Sequence, residues 1–197
     1  MEETSDWPSY HTGPKDSTFV LGVISATYGR LEHAFSAMFV NTTGVTSNFA
    51  SILLPKISND VRTALMEETL PLMGFTALIE EHIRHFIARF KTLVHNRNML
   101  MHSQIFPGGA TTAVLIKTQR DGKVVGRSVT LAELRQIADD MEAFREYGIA
   151  VANHIALPKV ARLFDAKGEP PPDLFALPRK PDLPARLDYT SDPIPLR

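Results

Sequence analysis

The chain has 197 residues, 44% of them hydrophobic and 22% charged, so it can bury one sizeable core and is not a disordered protein. It contains no cysteine, which excludes a disulfide framework, a thiolate zinc site and a cysteine nucleophile. The net charge of -1 argues against a strongly electrostatic nucleic-acid binder. The opening residues Met1 to Asp6 are acidic and lack the basic and apolar regions of a signal peptide, and no apolar run approaches a membrane span. The sequence therefore reads as a cytoplasmic protein with no membrane partner.

Residues 1–16 mix Pro8, Gly13 and Pro14 with polar groups and read as a loose N-terminal arm, with Trp7 and Tyr10 available to pin it to the core. From Ser17 or Thr18 to about Val40, Val20, Ile24, Tyr28, Leu31, Phe35 and Met38 recur at helical spacing and predict an amphipathic first helix. Gly22 and Gly29 would let a neighbour pack closely against it. Asn41 to Gly44 is a stop signal, and Pro55 and Pro71 break what lies around them, so two short helices are expected before Gly74. Ser47 or Asn48 can cap the first, and Ser58-Asn59-Asp60 the second.

The longest predicted helix runs from Phe75 to about Gln104, with Leu78, Ile79, Ile83, Phe86, Ile87, Phe90 and Val94 on one face. Residues 112–118 and 123–130 are β-rich runs joined by Asp121-Gly122, a hairpin signal. Thr130-Leu131-Ala132-Glu133 has the spacing of a capping box. A last helix follows through Leu134, Ile137, Met141 and Phe144 to about Leu157, where Pro158 interrupts. Eight of the fourteen prolines lie beyond Asp165, so residues 166–197 are expected to run extended or disordered, as a tail that could dock on a protein partner. The folded domain is then 17–165, with the hairpin at about 111–130.

One stretch departs from the core pattern: His95-Asn96-Arg97-Asn98-Met99-Leu100-Met101-His102-Ser103, at the end of the longest helix. It lies in the long segment from His82 to Arg120 that has no Asp or Glu, where Arg89 and Lys91 are candidate substrate-binding cations. Pairing of that basic face with acidic neighbours such as Glu67-Glu68 or Asp139-Asp140 is the simpler alternative. With thirteen arginines and seven histidines, an Arg five residues before a His arises by chance in roughly half of such chains, so the spacing alone says little. Requiring Asn directly after the Arg lowers the chance to roughly one or two per cent, which makes the triplet worth pursuing.

Arginine can hold a phosphate bidentately and histidine can move a proton near neutral pH. Arg97, Asn98 and His102 are therefore the candidate catalytic residues, with Glu32, His95 and Ser103 in supporting positions. Asn98 and His102 share a helix face, whereas Arg97 and His102 stand about 140° apart on an ideal helix. His82-x-x-His85 puts two imidazoles on one face, but the segment has no carboxylate or cysteine to complete a metal site, and no metal or other cofactor is expected.

Arg97-Asn98-x-x-x-His102-Ser103 at the end of a helix, in a mostly helical chain, resembles the motif of the HEPN superfamily, and the resemblance covers about residues 18–157. It implies a mainly α, HEPN-like helical bundle with an inserted β-hairpin before the last helix and a proline-rich C-terminal tail. It also implies a homodimer whose two motifs face one cleft and, in active members, metal-independent cleavage of RNA. His102 would then act as general base or acid, Arg97 would stabilise charge on the phosphoryl oxygens, and Asn98 would hold the phosphate or the imidazole. The expected products are a 2′,3′-cyclic phosphate and a 5′-hydroxyl, with DNA inert for want of the 2′-hydroxyl. Other members keep the fold as non-catalytic dimeric modules that bind RNA, nucleotide or a protein, which is the alternative here.

Overall fold

A computed structural model describes residues 14–109, 111–165 and 176–190, with side chains placed up to Pro158 in the last helix. The element order is α1 (Lys15–Thr43), α2 (Ser47–Leu53), α3 (Asn59–Thr69), α4 (Ala77–Met101), β1 (Gln104–Pro107), β2 (Thr112–Thr118), β3 (Val124–Thr130) and α5 (Leu131–Asp165), with single 3-10 turns after α2 and α3. The chain is mainly helical. Residues 1–13, which include Trp7 and Tyr10, lie outside the described residues, as do 166–175 and 191–197.

Three long helices make the body, and aromatic side chains join them. Phe35 of α1 stacks on Phe90 of α4 with centroids 4.2 Å apart, and Phe86 of α4 stacks on Phe144 of α5 at 4.7 Å. All four rings are at most 1% exposed. At these separations offset rings add about 0.5–1.5 kcal/mol per pair beyond the area they bury. α1 also packs lengthwise on α5, so α4 lies against a pair of helices rather than a single one.

Local signals explain the boundaries. Gly44 closes α1 at φ 73°, the left-handed conformation that a residue without Cβ adopts at least cost, and its N–H returns to the Val40 carbonyl. The hydroxyls of Thr46, Ser58 and Thr76 accept the main-chain N–H of Phe49, Val61 and Ile79 and start α2, α3 and α4. Thr46 takes the cap position expected of Ser47 or Asn48. At α5 the capping box is complete: the Thr130 N–H donates to Glu133 Oε2 at 2.8 Å and the Glu133 N–H to Thr130 Oγ1 at 3.1 Å.

Five expectations are corrected. α1 begins at Lys15, so residues 15 and 16 belong to the helix and not to the arm. α5 continues through Pro158 to Asp165, because a helix already propagated over seven turns accommodates the loss of one main-chain bond. Gly22 and Gly29 face open space, and the close helix approach occurs at Gly148 of α5, where an added Cβ would run into the Phe86 ring. The hairpin is one part of a three-stranded antiparallel sheet in the order β1-β2-β3. β1 pairs Gln104 with Ile116 through Pro107 with Ala113, which ends α4 at Met101 and not at Gln104. Pro107, which lacks an N–H, sits at the end of an edge strand, where sheets tolerate it.

The proline-rich tail is extended in residues 176–190 and lies along α4 as a strap. Lys180 pairs with Glu81 near the start of α4, and His85 Nε2 donates to the Pro181 carbonyl at 3.1 Å. Farther along, Leu187 enters the core at 3% exposure. The strap ends at β3, where the Thr190 N–H donates to the Gly126 carbonyl at 3.0 Å. A segment too poor in apolar residues to form a core of its own is thus held by the side chains of a helix about 90 residues earlier.

Gly148→Ala should destabilise the protein by about 1–3 kcal/mol, the range for overpacking a filled core, because the new methyl group meets the Phe86 ring. Thermal denaturation checks it: a midpoint lowered by several degrees is expected, and an unchanged one would mean that α4 and α5 separate freely at this crossing.

Candidate functional site

The last two turns of α4 present three differently occupied faces. The first turns toward the strap. Asn96, fully buried, donates from Nδ2 to the Ala185 carbonyl and accepts the Leu187 N–H on Oδ1, both at 2.8 Å. A side-chain amide with one donor and one acceptor thereby acts as a strand partner for the strap backbone. Next to it His95 donates from Nε2 to the Leu187 carbonyl at 2.7 Å and lies 3.4 Å from the Asp188 carboxylate. Ser103 bonds both the Met99 carbonyl and the Tyr189 hydroxyl. His95 and Ser103, expected to support the motif, are therefore engaged with the strap.

The second face turns toward α1 and carries Arg97. Its guanidinium carbon lies 5.0 Å from the centroid of the Tyr28 ring, a cation–π contact worth about 0.5–2 kcal/mol. The Tyr28 hydroxyl donates to Glu32 Oε1 at 3.4 Å and accepts from Asn59 Nδ2 at 3.2 Å. Arg62 of α3 ties this cluster down, reaching Glu32 Oε1 at 3.3 Å and Asn59 Oδ1 at 2.9 Å. Burial first, and then the Glu32 carboxylate, push the Tyr28 phenol above its ordinary range, so it remains a donor. Glu32 is thus linked to Arg97 through the Tyr28 ring and not to the imidazole of His102.

The third face is exposed and carries Asn98 and His102. Arg97 Nη1 donates to Asn98 Oδ1 at 3.1 Å, which joins the first two members of the motif. His102 closes α4: its main-chain N–H donates to the Asn98 carbonyl at 3.1 Å, and its ring makes no hydrogen bond among the described residues. The three residues thus share one helix end, but the side-chain bond links only Arg97 and Asn98.

The two candidate substrate-binding cations lie elsewhere. Lys91 pairs with both carboxylate oxygens of Glu67 on α3, at 3.0 and 3.2 Å, the simpler alternative for that residue. Arg89 is 3% exposed, beneath the strap. Among the described residues no group of three or more His, Asp or Glu stands together as metal ligands. The imidazoles of His82 and His85 are engaged separately, His82 with the Tyr147 hydroxyl at 2.9 Å and His85 with the strap.

No family model, curated protein or solved structure matches this chain. What the described residues define is a mainly helical protein with a small antiparallel sheet, in which no helix is long and apolar enough to cross a membrane.

Asn96 was not among the sequence candidates, although it is more deeply buried than any of them. A fully buried asparagine between two half-buried polar residues on one helix is not distinguishable in sequence from its neighbours. Asn96→Ala should strand the Ala185 carbonyl and the Leu187 N–H, at about 1–3 kcal/mol for each group left unpaired. Hydrogen exchange at the Leu187 amide checks this; protection equal to wild type would show that other groups hold the strap.

His82 and His85 are both held below the ordinary histidine value, chiefly by burial, with Lys180 acting on both and Arg89 on His85 in the same direction. Their folded values lie below the unfolded one, so the unfolded chain binds more protons near pH 6 and stability is lost as pH falls through about 6.5. The lowered carboxylates Glu81, Glu133 and Glu142 act only below about pH 4.5, so the window from pH 7 to 5 reports the histidines. The thermal midpoint should fall across that window, and the double variant His82→Gln/His85→Gln should flatten the slope; an equal slope in both proteins would rule out these two groups.

Proposed function

We propose that this chain is a HEPN-like, metal-independent endoribonuclease that acts at Arg97, Asn98 and His102. The observation that supports the reading is the state of Arg97. Arg84 and Lys91 of the same helix are paired with Glu80 and Glu67, whereas no carboxylate of the described residues comes within 4.0 Å of the Arg97 guanidinium. An arginine without an acid partner, bonded to an exposed asparagine and followed one turn later by an exposed histidine, suits an incoming phosphodiester.

In this reading the RNA 2′-oxygen attacks the adjacent phosphorus and the bond from phosphorus to the 5′-oxygen breaks. His102 accepts the 2′-hydroxyl proton or supplies one to the leaving 5′-oxygen. Arg97 neutralises charge that develops on the phosphoryl oxygens, and Asn98 orients the phosphate through its amide. The Tyr28 ring under Arg97, braced by Asn59 and Glu32, holds the cation in place before substrate arrives. The reading carries with it a homodimer in which a second copy supplies the facing motif.

A second reading, a non-catalytic dimeric module for RNA or a protein partner, is favoured by one feature of the same residue: Arg97 Nε is buried without a hydrogen-bond partner, so part of the guanidinium is turned away from the surface.

Incubation of the purified protein with mixed single-stranded RNA in EDTA separates the two. Wild type should yield fragments with 2′,3′-cyclic phosphate and 5′-hydroxyl ends, and Arg97→Ala and His102→Ala should each lower the rate by at least about 100-fold, the contribution of one acid, base or charge stabiliser. Intact RNA with folded wild type would move the assignment to the binding module. Cleavage retained in both variants would place any activity at other residues.

A further inference from the structure

Attack of an RNA 2′-oxygen on the adjacent phosphorus moves two protons, one off the attacking hydroxyl and one onto the leaving 5′-oxygen, and a single imidazole serves only one of them at a time. A second imidazole stands on the same side of α4. His95, Asn98 and His102 fall within about 60° of arc and rise by about 4.5 and 6 Å from one to the next. His102 keeps its helical place because its main-chain N–H returns to the Asn98 carbonyl. The two histidines therefore stand about 10.5 Å apart along the helix, with the Asn98 amide between them. Arg97 brings its charge to the middle of this row, since its Nη1 donates to Asn98 Oδ1 at 3.1 Å. With Oδ1 so occupied, Asn98 Nδ2 is left to donate to a phosphoryl oxygen.

The strap decides what His95 can do. A carbonyl oxygen only accepts, so the 2.7 Å bond to Leu187 fixes the proton of a neutral His95 ring on Nε2. Nδ1 then carries the lone pair and makes no hydrogen bond among the described residues, on a side chain that is 36% exposed. The Asp188 carboxylate lies 3.4 Å from the same Nε2, where it offsets positive charge once the ring takes up a proton. An acceptor and a carboxylate behind one nitrogen, with the other nitrogen unbonded, is the arrangement a general base requires. His102 has no such support among the described residues. A general acid does not need it, because both nitrogens of an imidazolium carry protons.

We infer that His95 is a further catalytic residue, the general base acting through Nδ1, with His102 as the general acid. The inference rests on the ribonuclease reading and divides between two side chains of one helix the two proton transfers that reading leaves to His102. The 2′-hydroxyl proton passes to His95 Nδ1 as the bond from the 2′-oxygen to phosphorus forms. The bond from phosphorus to the 5′-oxygen breaks as His102 gives that oxygen a proton. His95 ends protonated and His102 neutral, and exchange with water restores both. Two hydrogen-bond reaches of about 3 Å each, with one phosphoryl group between them, fit the spacing of the two rings.

The test uses an RNA that the wild-type chain cleaves in EDTA, made a second time with sulfur in place of the 5′-oxygen at the cut bond, because a thiolate leaves without a proton. On the oxygen substrate His95→Gln and His102→Ala should each be slower than wild type by at least about 100-fold. On the sulfur substrate His102→Ala should recover to within about tenfold of wild type, and His95→Gln should keep its full deficit. The glutamine amide can still donate to the Leu187 carbonyl, so a histidine that only held the strap would leave His95→Gln near the wild-type rate. That result, with Arg97→Ala and His102→Ala inactive, would overturn the inference and leave the ribonuclease reading standing. Recovery of His95→Gln on the sulfur substrate would overturn it as well. If the variant does not fold, nitrogen NMR of the wild type decides: the neutral His95 ring should carry its proton on Nε2, and a proton on Nδ1 would refute a base at that atom. Intact RNA with folded wild type would remove the ribonuclease reading and this inference with it.

Discussion

Two ring contacts, Phe35 on Phe90 and Phe86 on Phe144, hold α4 between α1 and α5, and the use of every other face of that helix follows from them. Once the phenylalanine face is committed to the core, helical geometry leaves two flanks and one outer edge. One flank holds the strap through His85, Asn96 and His95; the phenylalanine face itself ends in Arg97, seven residues past Phe90, over Tyr28; the outer edge carries Asn98 and His102. Gly148 of α5 leaves the room that lets Phe86 of α4 sit this close.

The electrostatics of the region follow from the same partition. The sequence places no acid between His82 and Arg120, so apart from Glu80, which pairs with Arg84 one turn on, the carboxylates that meet this segment of α4 come from other elements. Glu67 of α3 neutralises Lys91, Asp188 of the strap reaches His95, and Glu32 of α1 is spent on Tyr28 and Arg62. Arg97 and Arg89 are the two arginines of α4 left without an ion pair among the described residues, one near the surface and one deep under the strap. That difference in depth separates them: Arg97 lies close to the outer edge of the helix, whereas Arg89 is shut in by the strap.

Periodicity and capping chemistry were legible in the sequence, because they depend on residues one to four positions apart. The phenylalanine face of α4, the Ser58 cap, the Thr130–Glu133 box and the Asp121-Gly122 turn all fall in this class. Features that depend on distant pairing were not. β1 is only four residues long and extends a helical pattern, so nothing local marks it as a strand until β2 lies beside it. The strap carries the composition of a disordered tail, and what orders it is the amide of Asn96, a residue with no local signal. The motif residues themselves were visible as a triplet, but spacing could not show that Glu32 serves Tyr28 or that Arg89 is buried.

The contact between Thr190 and Gly126 has a consequence for the sheet as a whole. A three-stranded sheet has two open edges, and each open edge is a template on which a foreign strand can add. β1 guards its side by being four residues long and by ending in Pro107, which has no N–H to offer. β3 is seven residues long and rich in valine, the more dangerous margin, and the strap lies across it, occupying the Gly126 carbonyl through the Thr190 N–H and hydroxyl. The proline-rich segment is thus also a gatekeeper: detaching it would bare the margin of β3 along with α4, and self-association through that strand would be the first symptom of its loss.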